Sequence, residues 1–187
     1  MSEILSLKNA SVVVTGATGF IGSHLIDYLV GQGCTIHALV RETSDQRWLN
    51  KSGQVKIHVV DLAQSSSISC LEKADYLFHC AGLTKAKTRD DYFCGNVYSC
   101  EVLYERCVAI GSNLKAIVHL SSLAAAGPST QGEAVQEKNP CKPVTYYGES
   151  KLAGEKIALK YSSLLPVVII RPPVVYGPRE ENFFVYL

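Results

Sequence analysis

Six short runs rich in β-branched residues punctuate the sequence: SVVVTG (11–16), CTIHALV (34–40), VKIHVVD (55–61), DYLFHCAG (75–82), AIVHLSS (116–122) and VVIIRP (167–172). Each is strand-length and bounded by turn residues, and several read as buried on both faces. Between them the apolar spacing changes to that of helices. Residues 20–30 carry Phe20, Ile21, Leu25, Ile26, Leu29 and Val30 and stop at Gly31-Gln32-Gly33. Residues 90–110 carry Phe93, Val97, Cys100, Tyr104 and Cys107, with Gly111 as a C-terminal stop, and residues 146–163 form a third helix ahead of Pro166. Strands alternating with helices predict an α/β fold, a doubly wound parallel sheet flanked by helices on both faces. Right-handed crossovers then put ligands beyond the C-terminal ends of the strands.

The bulk numbers exclude several functions. A net charge of +1 over 187 residues gives no footprint for nucleic acid. No run approaches the ~18 apolar residues that span a bilayer, and Glu3, Ser6 and Lys8 interrupt any signal-peptide core. The seven cysteines form an odd set without CxxC spacing and several sit in apolar stretches, which reads as buried thiols in a reducing cytoplasm. His24, His37, His58, His79 and His119 show no metal-ligand grouping and read as core or surface residues. Residues 123–145 contain three prolines and two glycines without periodicity, longer than the ~12–15 residues usual for a plain connection, so this loop is functional or mobile. The chain finishes on the apolar run ENFFVYL, which favours a protein continuing past Leu187.

The turn between first strand and first helix carries most of the chemistry. In VVVTGATGFIGSHL, Gly16 permits a tight turn, Gly19 lets a pyrophosphate approach the backbone, and Gly22 lets the helix pack close to the strand. The helix N-terminus adds free N–H groups and positive partial charge. This G-x-x-G-x-x-G spacing resembles the short-chain dehydrogenase/reductase superfamily in its extended branch, which includes NAD-dependent epimerases and dehydratases, dihydroflavonol-type reductases and 3β-hydroxysteroid dehydrogenases. The likeness extends through VDL (60–62), HCAG (79–82), NV (96–97), HLSS (119–122), YGESK (147–151) and RPPVVYGP (171–178). It implies that residues 1–187 are an NAD(P)-binding Rossmann domain, with the C-terminal substrate-binding part largely absent. Its cofactor residues are Gly16, Thr18, Gly19, Phe20, Ile21 and Gly22 of the loop, Asp61 and Leu62 near adenine, and Cys80, Ala81 and Gly82 along the groove. Pro172, with Pro173, keeps extended backbone beside the nicotinamide.

An NAD site normally has a carboxylate at the end of the second strand, on the ribose 2′-hydroxyl. Here Val40 holds that position and Arg41 follows. A guanidinium binds a 2′-phosphate in a bidentate fashion, so NADP is expected in preference to NAD, with Arg41 and Ser44 on the phosphate. Glu42 leaves contact with an unphosphorylated ribose open.

Among ten tyrosines and twelve lysines, a Tyr-x-x-x-Lys arises readily by chance. TYYGESK (145–151) gains weight from its place at the start of the helix after the fifth strand. Residues four apart share a helix face while five apart are turned by roughly 140°, so Tyr147 rather than Tyr146 pairs with Lys151. A phenol titrating near ~10 needs about three pH units of depression, roughly 4 kcal/mol, to act as a base near neutrality. An adjacent ammonium and an oxidised nicotinamide both favour the phenolate. The resemblance implies that Lys151 also bonds the nicotinamide ribose and that Ser122, in preference to Ser121, orients the substrate oxygen. Asn96 matches a family asparagine, more often structural than catalytic, and Arg171 and Arg179 are candidates for substrate.

The triad implies proton and hydride removal from a carbinol, or the reverse. Ser122-Leu123-Ala124-Ala125 lacks the acid that dehydratases carry beside the serine, and the apolar SLAAAGP suits a less polar substrate. The reading is therefore an NAD(P)-dependent oxidoreductase acting on a small-molecule alcohol or ketone. A nucleoside-diphosphate-sugar epimerase is the runner-up, and a non-catalytic dinucleotide-sensing protein is a third alternative that the Tyr–Lys pair argues against. Helices 90–110 and 146–163 resemble the family's dimer seam, so a homodimer is expected.

Overall fold

A computed structural model of the chain describes residues 7–63, 68–129 and 134–181. Six parallel strands form one sheet in the order β3-β2-β1-β4-β5-β6. They are β1 (Ser11–Thr15), β2 (Thr35–Val40), β3 (Val55–Val59), β4 (Tyr76–His79), β5 (Ala116–Leu120) and β6 (Val167–Ile170). The strand order reverses between β1 and β4, which pair directly from Val12↔Tyr76 to Thr15↔His79. Their C-terminal ends diverge into the glycine loop and the HCAG segment, opening the crevice where ligands of such sheets bind.

Each sheet face has its own core. Helix α1 (Phe20–Gly31) lays Ile26 and Leu29 over Val12, Val14, Ile36 and Ala38. On the other face α3 (Ser99–Ala109) and α5 (Tyr146–Lys160) pack Leu103, Tyr104, Cys107 and Ala158 against Val13, Leu39, Leu77 and Ile117. The central strands are buried on both faces, as an all-parallel sheet requires. The outer strands are not: Ile57 and Val59 of β3, and Val168 and Ile170 of β6, are exposed.

Two segments depart from the sequence expectation. The helix expected over 90–110 begins with a Thr88–Asp91 capping box and is built in three parts: α2 (Arg89–Phe93), a π-helical turn (Cys94–Tyr98) and α3. The π turn inserts an extra residue and directs Asn96 into the protein, where it is 4% exposed. The segment read as a loop from residue 123 opens with a helical turn, α4 (Leu123–Ala126), capped by the Ser122 hydroxyl, which accepts from the Ala124 N–H at 3.1 Å. Its base is closed where the Lys142 N–H donates to the Ala126 carbonyl at 2.9 Å. Four residues are too few to show a period, so local capping rather than amphipathicity makes this helix. The apolar run at 182–187 lies outside the described residues. Among the described residues no helix is long and apolar enough to cross a membrane.

Candidate active site

A groove of about 570 Å³ runs across the C-terminal ends of the strands. Of the residues expected from sequence to hold a cofactor, Gly16, Thr18, Gly19, Arg41, Asp61, Leu62, Cys80, Ala81 and Gly82 line it. Phe20, Ile21 and Gly22 stand behind it in the first turn of α1. The glycines are required by contact: a Cβ on Gly16, at φ +65°, would stand 2.6 Å from the Ala81 nitrogen, and one on Gly22 would stand 2.2 Å from the Gly16 carbonyl oxygen. Gly19 caps α1 with no side-chain bond, leaving the helix N-terminus to whatever enters the groove. At the far rim, Ser44 accepts from the Arg41 backbone N–H at 3.0 Å, while the exposed Arg41 guanidinium has no hydrogen bond or ion pair among the described residues. Asp61 caps its own turn through Ala63 N–H at 2.9 Å.

The groove's other wall was not legible in sequence. Leu83, Asp91, Cys94, Gly95 and Ser99 also line it. They come there because Asn96 clamps the chain after β4: its Oδ1 accepts from Leu83 N–H at 2.6 Å, and its Nδ2 donates to Leu83 O at 3.0 Å and Ser150 Oγ at 2.9 Å. Asn96 thus binds backbone and positions the wall. The only sequence signal was the NV pair itself.

Past Gly82 stands the Ser–Tyr–Lys group. Thr145 caps α5, its hydroxyl accepting from Gly148 N–H at 3.0 Å. Gly148 packs directly on α4: a Cβ there would meet the Ala124 carbonyl oxygen at 2.3 Å. This close seat brings Tyr147 near Ser122, whose hydroxyl favours the phenolate form of the phenol. The Ser122 oxygen accepts from Ala124, so its O–H is the group left to donate. Tyr146 is turned away and 56% exposed. One helical turn on, Lys151 is 7% exposed, its Nζ donating to Leu120 O at 2.6 Å and standing 3.6 Å from where a Cβ on Gly82 would be. Pro172 is anchored alongside, its carbonyl accepting from Leu123 N–H at 3.0 Å.

The electrostatics correct one expectation. Burial holds the Tyr147 phenol above its ordinary value, outweighing the nearby Ser122 hydroxyl that favours the phenolate, and the neighbouring Tyr92 phenol adds to the rise. Lys151 does not depress it here. Its own ammonium is held below the ordinary range by burial, against the pull of Cys100, Glu155 and Cys80.

Two interior groups went unseen in sequence. Glu155, four residues beyond Lys151 and 2% exposed, accepts from Ser121 Oγ, from Arg171 Nε at 2.8 Å and from Arg171 Nη2 at 2.6 Å. Arg171 is thereby committed to the frame, holding the chain after β6 against α5, and Arg179 to Asp27 of α1 at 2.7 Å. The histidines also group, contrary to the sequence reading: His79, Cys100 and His119 form one cluster and His37, His58 and Cys70 another. Residues distant in sequence but facing each other across parallel strands leave no spacing signal.

Comparison with known proteins agrees with this architecture. Residues 12–185 match the model of the NAD-dependent epimerase/dehydratase family. The chain is 31% identical over 172 residues to a ceramide reductase of Caulobacter vibrioides, covering 91% of this chain and 48% of the relative. It is 30% identical over 188 residues to a UDP-glucose 4-epimerase of Vibrio cholerae, covering 95% and 55%. The chain thus spans about half the length of these curated relatives. Among solved structures, the UDP-glucuronic acid 4-epimerase of Bacillus cereus in complex with NAD superposes with a TM-score of 0.81 at 26% identity, over 91% of this chain and 58% of that one. With the glycine turn at the β1–β4 switch point and the match running through both ends of the sheet, the chain belongs to the NAD-dependent epimerase/dehydratase family.

Proposed function

We propose that this chain is the dinucleotide-binding part of an NADP-linked oxidoreductase that interconverts a secondary alcohol and a ketone, with Tyr147 moving the proton. The observation that carries the reading is that Lys151 Nζ reaches Gly82, which lines the groove, while Tyr147, one helical turn before it, lies near Ser122. The groove fits a dinucleotide: side chains at Gly16 and Gly22 would collide with backbone, and the α1 N-terminus carries no side-chain cap. Gly16, Thr18 and Gly19 would hold its phosphates, Asp61 and Leu62 its adenine, Cys80–Gly82 its length, and Pro172 its redox end. Arg41, exposed and unpaired among the described residues, supports NADP over NAD through its 2′-phosphate.

When bound, the dinucleotide supplies hydride and, in its oxidised form, a positive charge that favours the phenolate. Tyr147 Oη takes the carbinol proton as hydride leaves the neighbouring carbon, or returns it to a ketone oxygen. Ser122 Oγ–H holds that oxygen and carries its developing charge. The buried Lys151 ammonium, which donates to the Leu120 carbonyl, would turn to a ribose hydroxyl and from there favour the Tyr147 phenolate.

Substrate choice follows from what borders Tyr147. Ser122 is followed by the exposed Leu123, whose N–H binds the Pro172 carbonyl, and Val174 and Val175, soon after Pro172 in the chain, are exposed too. An apolar small molecule fits these neighbours better than a sugar nucleotide, and a ceramide reductase is among the relatives. A nucleoside-diphosphate-sugar epimerase is the second reading, favoured by the UDP-sugar enzymes among the solved structures. Seven free thiols support a reducing cytoplasm. The exposed Tyr98 and Leu159, on the α3–α5 layer, support a homodimer through that layer. The test is a panel of hydroxy- and keto-lipids, steroids and UDP-sugars. Net dinucleotide turnover with an apolar ketone is expected; sugar isomerisation without net turnover selects the second reading, and activity on neither rejects both.

A further inference from the structure

We propose that His37, His58 and Cys70 bind a divalent transition metal of the zinc class, at a site separate from the groove. His37 lies on β2 and His58 on the edge strand β3. The register pairs Leu39 with His58 and His37 with Lys56, so the two imidazoles are diagonal neighbours on one sheet face. Their rings stack at 5.1 Å, with His37 Nδ1 and His58 Nε2 2.9 Å apart. Cys70, in a 3₁₀ turn at Ser69–Lys73, points its sulfur to the same spot. One donor atom from each of the three lies within 4.8 Å of the others.

These distances are near those a metal imposes. Zinc–nitrogen bonds of about 2.0–2.1 Å and zinc–sulfur bonds of about 2.3 Å on a tetrahedron set N···N near 3.3 Å and N···S near 3.6 Å. The two nitrogens must open by about 0.4 Å and the sulfur must close by at most about 1.2 Å, both within side-chain rotation. The imidazoles are half-buried, so an ion can reach them and a water can complete the fourth position. Binding releases the thiol proton to solvent. The exposed Lys56 ammonium beside His37 opposes a cation, weakly because solvent screens it.

The interior trio does not offer the same. There His79 Nδ1 is held by Thr15 Oγ at 2.8 Å and His119 Nδ1 by Tyr104 Oη at 3.2 Å. All three side chains are fully buried, and the Lys151 ammonium bears on both imidazoles. A second buried cation beside it would be strongly repelled. At the outer site the nearby ammonium, Lys56, is exposed and screened by solvent. A metal there ties β2, β3 and the segment entering β4 together, beneath the strand ends that present Arg41 and Asp61.

The test is titration of chelator-treated protein with Co²⁺, then Zn²⁺. One equivalent of cobalt should give a thiolate-to-cobalt charge-transfer band and the visible absorption of a four-coordinate ion, and zinc should displace it and raise the thermal midpoint. Cys70→Ala should remove the charge-transfer band, His58→Gln should weaken binding by at least about tenfold, and Cys100→Ala should change nothing. Absence of a stoichiometric band, its survival in Cys70→Ala, or its loss in Cys100→Ala overturns the site. Should Cys70→Ala fail to fold by circular dichroism, undiminished cobalt affinity in His58→Gln overturns it equally.

Discussion

Replacing Arg171 by methionine keeps most of the side-chain volume but removes the guanidinium that pairs with Glu155. In the native protein that carboxylate is 2% exposed and is met by both Arg171 donors, at 2.8 and 2.6 Å, and by Ser121. The variant leaves a buried carboxylate with one hydroxyl. Breaking a buried pair from one side costs about 3–5 kcal/mol. The Arg171 side chain is 24% exposed, so water can enter the vacated space and the lower end, about 3 kcal/mol, is expected. For a chain of this size that is about 6–12 °C in thermal midpoint. Removing both partners, Arg171→Met with Glu155→Leu, should recover more than half of the loss, leaving chiefly the unsatisfied Ser121 hydroxyl, about 1 kcal/mol. Urea unfolding of wild type, both single variants and the double variant measures the coupling. A loss below about 1 kcal/mol for Arg171→Met, or a double variant no better than the sum of the singles, refutes the reasoning.

Other consequences can be checked directly. Burial takes the His119 imidazole from 6.5 down to about 3. The folded protein therefore refuses a proton that the unfolded chain accepts below 6.5, so stability falls as pH falls from 6.5 towards 3. With the slope rising to ~1.36 kcal/mol per pH unit, His119 accounts for about 2 kcal/mol of loss between pH 6.5 and 4.5, and unfolding of His119→Asn should show that much less pH dependence. Gly148→Ala must push the Ala124 carbonyl away; overpacking of about 1–3 kcal/mol should exceed the ~1 kcal/mol gained in helix propensity, and turnover should drop as Tyr147 leaves Ser122. Arg41→Ala should weaken NADP binding by about 1.5–3 kcal/mol and leave NAD nearly unchanged in calorimetry; equal effects on both refute the phosphate role.

The fold was legible because its signals are local. Val12–Val14 and the glycines announce a strand, a turn and a helix within a dozen residues, and the same grammar repeats along the chain. Helix geometry alone separated Tyr146 from Tyr147, and the structure turns the former to solvent. What escaped depends on distant partners. A π turn directs Asn96 inward to hold the groove wall at Leu83, and α4 exists because Ser122 caps it. Glu155 meets Arg171 only after α5 packs beside β6, and the two histidine clusters assemble across strands. The direction of the Tyr147 shift was missed for a related reason: sequence shows that a lysine shares its face, but not that burial dominates both groups and turns the ammonium to the Leu120 carbonyl.

The role proposed for one oxygen atom, Tyr147 Oη, is isolated by comparing Tyr147→Phe with the wild-type protein for both dinucleotide affinity and turnover on whichever substrate the panel yields. Dissociation constants for NADPH within about threefold, under 0.7 kcal/mol, together with turnover reduced by about 10²–10⁴, are expected of a phenol that, as proposed, moves a proton without holding the nucleotide. Turnover in Tyr147→Phe close to the wild-type rate would contradict the account.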